Sequence, residues 1–160
     1  MIRILAAVLG VFALVWASDK PRAQGGLAMG ELGLPRGIRN NNPGNIEDSG
    51  TDWKGYKGND GRYVIFDHPE YGIRAMNRIL NTYASKYGLR TIRGIIHRWA
   101  PPVENLTGSY VSAVSQRVGV GPDVELSGQH RADLIAAIIH HENGQQPYTA
   151  EAIARGMALA

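Results

Sequence analysis

The amino-acid sequence predicts an α+β domain, mostly helical, with about five helices and one small β-hairpin region. Three observations carry that prediction. Residues 36–61 (RGIRNNNPGNIEDSGTDWKGYKGNDG) have almost no helical period and are dominated by Asn, Gly, Asp and Pro, which supply turns and left-handed backbone positions. Within and after that stretch, Trp53–Tyr56 and Arg62–Phe66 flank Asn59-Asp60-Gly61, a good turn sequence for a short hairpin. From Pro69 onward, apolar residues recur at helical spacing between Thr, Gly and Pro punctuation.

The helices follow in order. Pro69 at a start and Gly88 past an end bracket EYGIRAMNRILNTYASKY, with Ile73, Met76, Ile79, Leu80 and Tyr83 at core spacing. Thr91 is placed to cap IRGIIHRW, which stops before Pro101-Pro102. Thr107 is placed to cap GSYVSAVSQRV, which ends at Gly119, and Ser127 or Gln129 opens the next helix. That helix carries LIAAIIHHENGQQPY, with Leu134, Ile135, Ile138 and Ile139 forming one buried stripe. Gly144 suits the left-handed turn that closes it, and Pro147 prevents a restart. Thr149 caps a last helix, AEAIARGMAL.

A chain of 160 residues holds one domain and an appendage. Residues 1–24 read as a signal peptide or signal anchor. Arg3 is a basic start, and Ile4–Ala17 is an unbroken apolar run of 14 residues, shorter than the ~20 a spanning helix needs and suited to a signal peptide. Val15-Trp16-Ala17 is a passable cleavage site; uncut, residues 4–17 would anchor the protein to the membrane. Residues 25–34 are a linker rich in Gly and small residues, and residues 35–160 are the folded body. The expected location is outside the cytoplasm, in the periplasm or cell envelope, with association to a virion as a further setting.

Cysteine is absent, so an exported body is held by its core and has no thiolate zinc site. Net charge is +3, two of which belong to the N-terminal segment through Arg3, Lys20 and Arg22 against Asp19. No basic stripe interleaved with aromatics runs through the body, so nucleic acid is not an expected partner. The body is expected to act as a monomer that meets a membrane only through its N-terminal segment.

No Ser-centred nucleophile elbow or phosphate-cradling loop is present, and His140-His141 diverge on a helix while His68, His97 and His130 lie at no metal-ligand spacing. No metal and no cofactor is expected, and a zinc amidase or peptidase ranks low. Carboxylates remain: Glu142, Glu47, Asp48, Asp52 and Glu104. Glu142 closes an apolar helix at the end where the dipole disfavours negative charge. Partial burial and the dipole favour its protonated form, which suits a general acid. Cleavage of a glycosidic bond needs such an acid, usually with a second carboxylate. Where the sugar carries a 2-acetamido group, that group supplies the nucleophile and one Glu suffices. Asn42, Asn45, Trp53, Tyr56 and Tyr148 are side chains of the kind that hold sugars by hydrogen bonds and stacking.

The LIAAIIHHENGQQPY stretch resembles the catalytic helix of lytic transglycosylases and related lysozymes, a helix of the form AI…ES-G…P that ends in the catalytic Glu. Asn143 stands where Ser is usual, so the partner of the acid is not the familiar one. NNNPGNI (Asn40–Ile46) followed by Trp53-Lys54-Gly55 is similar to the NN-x-G-I segment of peptidoglycan glucosaminidases and muramidases. From Arg36 to Ala160 the order of motifs also resembles small phage and prophage proteins labelled lysozyme-like or virion structural. These resemblances imply a lysozyme-like fold that cleaves peptidoglycan glycan strands. Glu142 would be the acid and afterwards the base, with Asn42, Asn45, Trp53 and Tyr148 lining the cleft. The absence of a second obvious carboxylate favours the lytic-transglycosylase outcome over hydrolysis. A non-catalytic glycan-binding or virion structural protein of the same fold is the alternative.

The order of the segments departs from those enzymes, in which the catalytic helix precedes the β region. If both resemblances hold, the chain is a circular permutation, acceptable when the termini lie close together at the surface. Asn42–Ile46 must then lie within ~10 Å of Glu142 to share a cleft. If one resemblance is accidental, Glu47 inherits the role of the acid.

Overall fold

The computed structural model describes residues 33–100 and 106–160. The N-terminal segment 1–24, most of the linker, Pro101-Pro102 and the candidate Glu104 lie outside the described residues. No helix among the described residues is long and apolar enough to cross a membrane.

The architecture is α+β and mostly helical. A four-residue helix α1 (Arg36–Arg39) leads through the Asn-rich loop to β1 (Tyr56–Asn59) and β2 (Val64–Phe66), followed by α2 (Pro69–Tyr87), α3 (Ile92–Trp99), α4 (Leu106–Val118), α5 (Arg131–Asn143) and α6 (Ala150–Ala158). A 3-10 turn, Gly128–His130, runs directly into α5. Helix α5 is the central element, with Leu134, Ile135, Ala137, Ile138 and Ile139 all buried. It touches α1, α2, α4 and α6. Ala137 extends burial beyond the expected stripe because helices pack on more than one side of α5.

Most of the signals for helix ends act as read. Gly88 takes the left-handed conformation after α2 (φ 65°), Gly119 does so after α4 (φ 72°), and Gly144 closes α5 (φ 68°). The Thr91 hydroxyl accepts from the Gly94 N–H at 3.2 Å, and the Thr149 hydroxyl accepts from the Ala152 N–H at 3.2 Å. Thr91→Ala should therefore cost about 1 kcal/mol, the usual value of an N-cap, read as a lower denaturation midpoint with an unchanged slope. Thr107 is not a cap, because α4 starts one residue before it. Ser127 opens the 3-10 turn, its N–H donating to His130 Nδ1 at 3.2 Å.

The hairpin sits later in the chain than the sequence signals place it. Tyr56 pairs with Phe66 and Asn59 with Val64 across the turn at 60–63. Asp60 fixes that turn by accepting from the N–H groups of Arg62 (3.2 Å) and Tyr63 (2.8 Å), an Asx arrangement that competes with further ladder pairing. Trp53 approaches the sheet from outside it and is buried in the core. Helix α1 has no expectation behind it, since four residues are too few to show a period. Helix α6 lies close on α2, where a Cβ on Gly156 would stand 2.7 Å from Ile73 Cβ and 3.0 Å from the Glu70 carbonyl.

Candidate functional site

The three asparagines that open the loop are its framework. Asn40 Nδ2 donates to Asp60 Oδ2 at 2.8 Å, while Asn41, held at φ 51°, donates to the Phe66 carbonyl at 3.0 Å. Asn42 is 1% exposed. Its Oδ1 accepts from Ile46 N–H at 2.9 Å, and its Nδ2 donates to the carbonyls of Ile46 and Val64, each at 2.9 Å. Short polar side chains satisfying backbone groups in this way set the path of an irregular loop. The structure thus places Asn42, expected to line a glycan cleft, inside the loop, with its amide holding the loop to β2.

That framework delivers Asn45, at φ 48°, to the end of α5. Asn45 Nδ2 donates to Glu142 Oε2 at 3.0 Å, between residues 97 positions apart in the chain. The required proximity of Asn42–Ile46 to Glu142 is thus met by direct contact. From α4, the Tyr110 hydroxyl donates to Glu142 Oε1 at 2.9 Å. The indole N–H of Trp99, at the end of α3, adds a weaker stabilisation of the same carboxylate. Loop, α3 and α4 thus converge on one carboxyl group on α5.

The residue Glu142 keeps partial exposure, but its carboxyl group is enclosed. Burial raises its pKa above the ordinary 4.5, and the three donors from Asn45, Tyr110 and Trp99 only partly offset that. The Tyr110 hydroxyl is pushed well above its ordinary value by burial and by the Glu142 charge, so it stays a donor. The Tyr110 ring stacks on the His141 ring at 3.5 Å between centroids, 13° from parallel. Beside that stack, His140 Nε2 lies 3.0 Å from Arg117 Nη2.

Asn143 does not bond the acid it follows. Its Nδ2 donates to the Pro43 carbonyl at 2.8 Å and the Ile139 carbonyl at 2.9 Å, fastening the last turn of α5 to the loop. The role left open by the exchange of Ser for Asn falls to Asn45 and Tyr110. Gly37 on α1 makes this possible by close approach: a Cβ there would collide with Asn143 Oδ1 and stand 2.8 Å from Asn45 Oδ1 and 2.9 Å from the Asn42 carbonyl.

The other candidates are placed apart from this cluster. Glu47 is exposed and paired with Arg62 at 2.6 Å, an arrangement of a surface ion pair, not of an enclosed acid. Trp53, expected to stack on a sugar face, is placed in the core, its indole nitrogen without a hydrogen-bond partner among the described residues. Tyr148 is partly buried against the core, and burial lifts its hydroxyl to about 12. Tyr56 is exposed and donates to Asp48 at 2.9 Å beside an open hollow that Asp52 also lines. Among the described residues no group of three or more His, Cys, Asp and Glu side chains comes together as metal ligands would. Tyr110, Trp99 and Gly37 escaped the sequence reading. An aromatic residue in an amphipathic helix reads as core, and a glycine reads as a turn, until the packing is known.

No protein-family model matches the chain. Protein P5 of Pseudoalteromonas phage PM2 is similar to it, 44% identical over 126 residues that cover 76% of this chain and 79% of that protein. The chain belongs to the family of this phage protein. Identity at that level over most of both chains implies one fold, so the P5 family should share the α+β architecture described above.

Proposed function

We propose that this protein cleaves the glycan strand of peptidoglycan in the manner of a lytic transglycosylase, with Glu142 as the single acid–base group on a lysozyme-like fold. The observation that supports the reading is the enclosed Glu142 carboxyl, biased toward its protonated form and bonded by Asn45 and Tyr110. A carboxylic acid so held donates its proton to the glycosidic oxygen as the bond breaks. The resulting carboxylate is met by the Tyr110 hydroxyl and the Asn45 amide N–H, which stabilise the charge. The substrate's 2-acetamido oxygen attacks the anomeric carbon as the leaving oxygen departs with the proton. A hydroxyl of the same sugar then displaces the acetamido oxygen from that carbon, giving up its proton to Glu142 and closing the anhydro ring. On this reading the protein acts as a monomer in the cell envelope, reached through the apolar N-terminal segment.

Mass spectrometry of fragments released from purified peptidoglycan tests this. Anhydro ends are expected, reducing ends would make the protein a hydrolase, and no fragments would refute cleavage. Activity should fall as pH rises through the pKa of Glu142, since the acid must be protonated. Tyr110→Phe keeps the ring but removes a donor to the ionised form, so that fall should move to higher pH. A pH–rate profile identical to that of the wild type would show that the Tyr110 bond does not tune the acid.

A second reading is a glycan-binding or virion structural protein of the same fold without catalysis. The burial of Asn42 and Trp53, which leaves fewer side chains for a sugar groove, favours its virion structural form over glycan binding.

A further inference from the structure

Two buried amide oxygens beside Glu142, Asn45 Oδ1 and Asn143 Oδ1, have no hydrogen-bond donor among the described residues. Both crowd the same side of Gly37, so they are neighbours as well as orphans. Buried polar atoms are normally satisfied, and two adjacent exceptions need a cause. Turning either amide alone gives up its present bonds: Asn143 Nδ2 serves two carbonyls, and Asn45 Nδ2 serves the Glu142 carboxylate and, at 3.5 Å, the Glu142 carbonyl. A turn of the Asn45 amide that is matched by a proton on the carboxyl would satisfy both oxygens.

We propose that the Asn45 amide takes two orientations set by the proton on Glu142, donating to the ionised carboxylate in one and accepting from the protonated carboxyl in the other, with Asn143 Oδ1 receiving the freed N–H. A half-turn about the last side-chain bond exchanges amide oxygen and nitrogen in nearly the same volume, so the packing against Gly37 is kept. The protonated carboxyl then donates to Asn45 Oδ1, and Asn45 Nδ2 turns toward Asn143 Oδ1. When Glu142 releases its proton to a leaving oxygen, the amide turns back and Nδ2 again faces the carboxylate. Asn45 is thus a positioning residue: its Oδ1 holds the acid's proton until the O–H turns from it to the leaving oxygen, and its N–H then receives the charge. The inference rests on the reading of Glu142 as a proton donor.

Other ionisable groups face this site. Tyr110 reaches Glu142 from α4, and Tyr63 feels its charge from the hairpin side, itself surrounded by Arg36, Arg62 and Glu47. On α5 itself, His141 is held below its ordinary value by burial, His140 and Arg117. Of these, His141 is the group whose titration could be confused with that of Glu142, so it is followed separately.

The test is a pH titration of the full chain, labelled with 13C and 15N, in a mild detergent. The Glu142 carboxyl carbon, the Asn45 and Asn143 side-chain amides and the His141 ring are monitored together. The expected result is that both amides shift with the midpoint of Glu142, although Asn143 does not touch that carboxyl. Glu142→Gln should freeze both amides at their acid-limit positions, since a Gln amide N–H can donate to Asn45 Oδ1 as the protonated carboxyl does. Amides that stay fixed while Glu142 titrates, or that follow His141, overturn the proposal. So does an Asn143 amide that is indifferent while Asn45 responds. Glycan cleavage is assayed in parallel: cleavage without co-titration sinks the switch and keeps the function, while co-titration without cleavage supports the switch and sinks the function.

Discussion

Glu142→Gln is expected to lower peptidoglycan cleavage by roughly 10²–10⁴-fold, the range that a positioned general acid contributes. The substitution keeps the shape of the side chain and an acceptor for the Tyr110 hydroxyl, while removing the proton that must reach the leaving oxygen. It should leave the fold intact, and the sign of its effect on stability follows from the raised pKa. A carboxyl whose folded value exceeds its ordinary 4.5 contributes stability that is fully present below the ordinary value and is lost as pH rises through the folded one. Gln has no such dependence. The variant should therefore gain on the wild type as pH rises from acid to neutral, in melting temperature measured across that interval. Zymogram clearing by the variant equal to that of wild type would remove Glu142 from the chemistry. A stability difference that does not change with pH would contradict the enclosed setting of the carboxyl.

Gly37→Ala should cost about 2–3 kcal/mol, the upper part of the range for overfilling a packed site. Backbone strain is not the reason, because Gly37 has no positive φ and helix propensity alone would favour Ala. The added methyl collides with Asn143 Oδ1 and stands 2.8 Å from Asn45 Oδ1 and 2.9 Å from a backbone carbonyl. Two of these three atoms belong to amides that hold the loop to the end of α5. The steric term should win, since a four-residue helix gains little from propensity. Urea unfolding should show a lower midpoint at constant slope, with cleavage falling as Asn45 is displaced. A variant as stable as wild type would mean that α1 shifts freely, and the loop would then not be held as tightly as its hydrogen bonds imply.

The contrast between Asn42 and Asn45 shows where legibility ended. Both stand in one Asn-rich segment, and residue type alone assigned both to a cleft. The backbone path decided between them: Asn42 turns inward onto Ile46 and Val64, whereas Asn45, in a left-handed conformation, reaches Glu142. Glu47 stands apart from Glu142 for a similar reason, because the strand-like path after Ile46 carries it outward to Arg62.

Local chemistry by itself determined a great deal. Gly88, Gly119 and Gly144 end helices, Thr91 and Thr149 begin them, and the apolar run before Glu142 becomes the buried centre of the domain. Those features depend on a few neighbouring residues, so a sequence displays them directly. The tertiary structure alone decided which groups meet the carboxyl. Asn45 lies 97 positions from Glu142 and Tyr110 lies 32, and neither distance leaves a trace in local periodicity. Burial, which biases Glu142 toward its protonated form, is likewise a property of elements packed together and not of the helix that carries it.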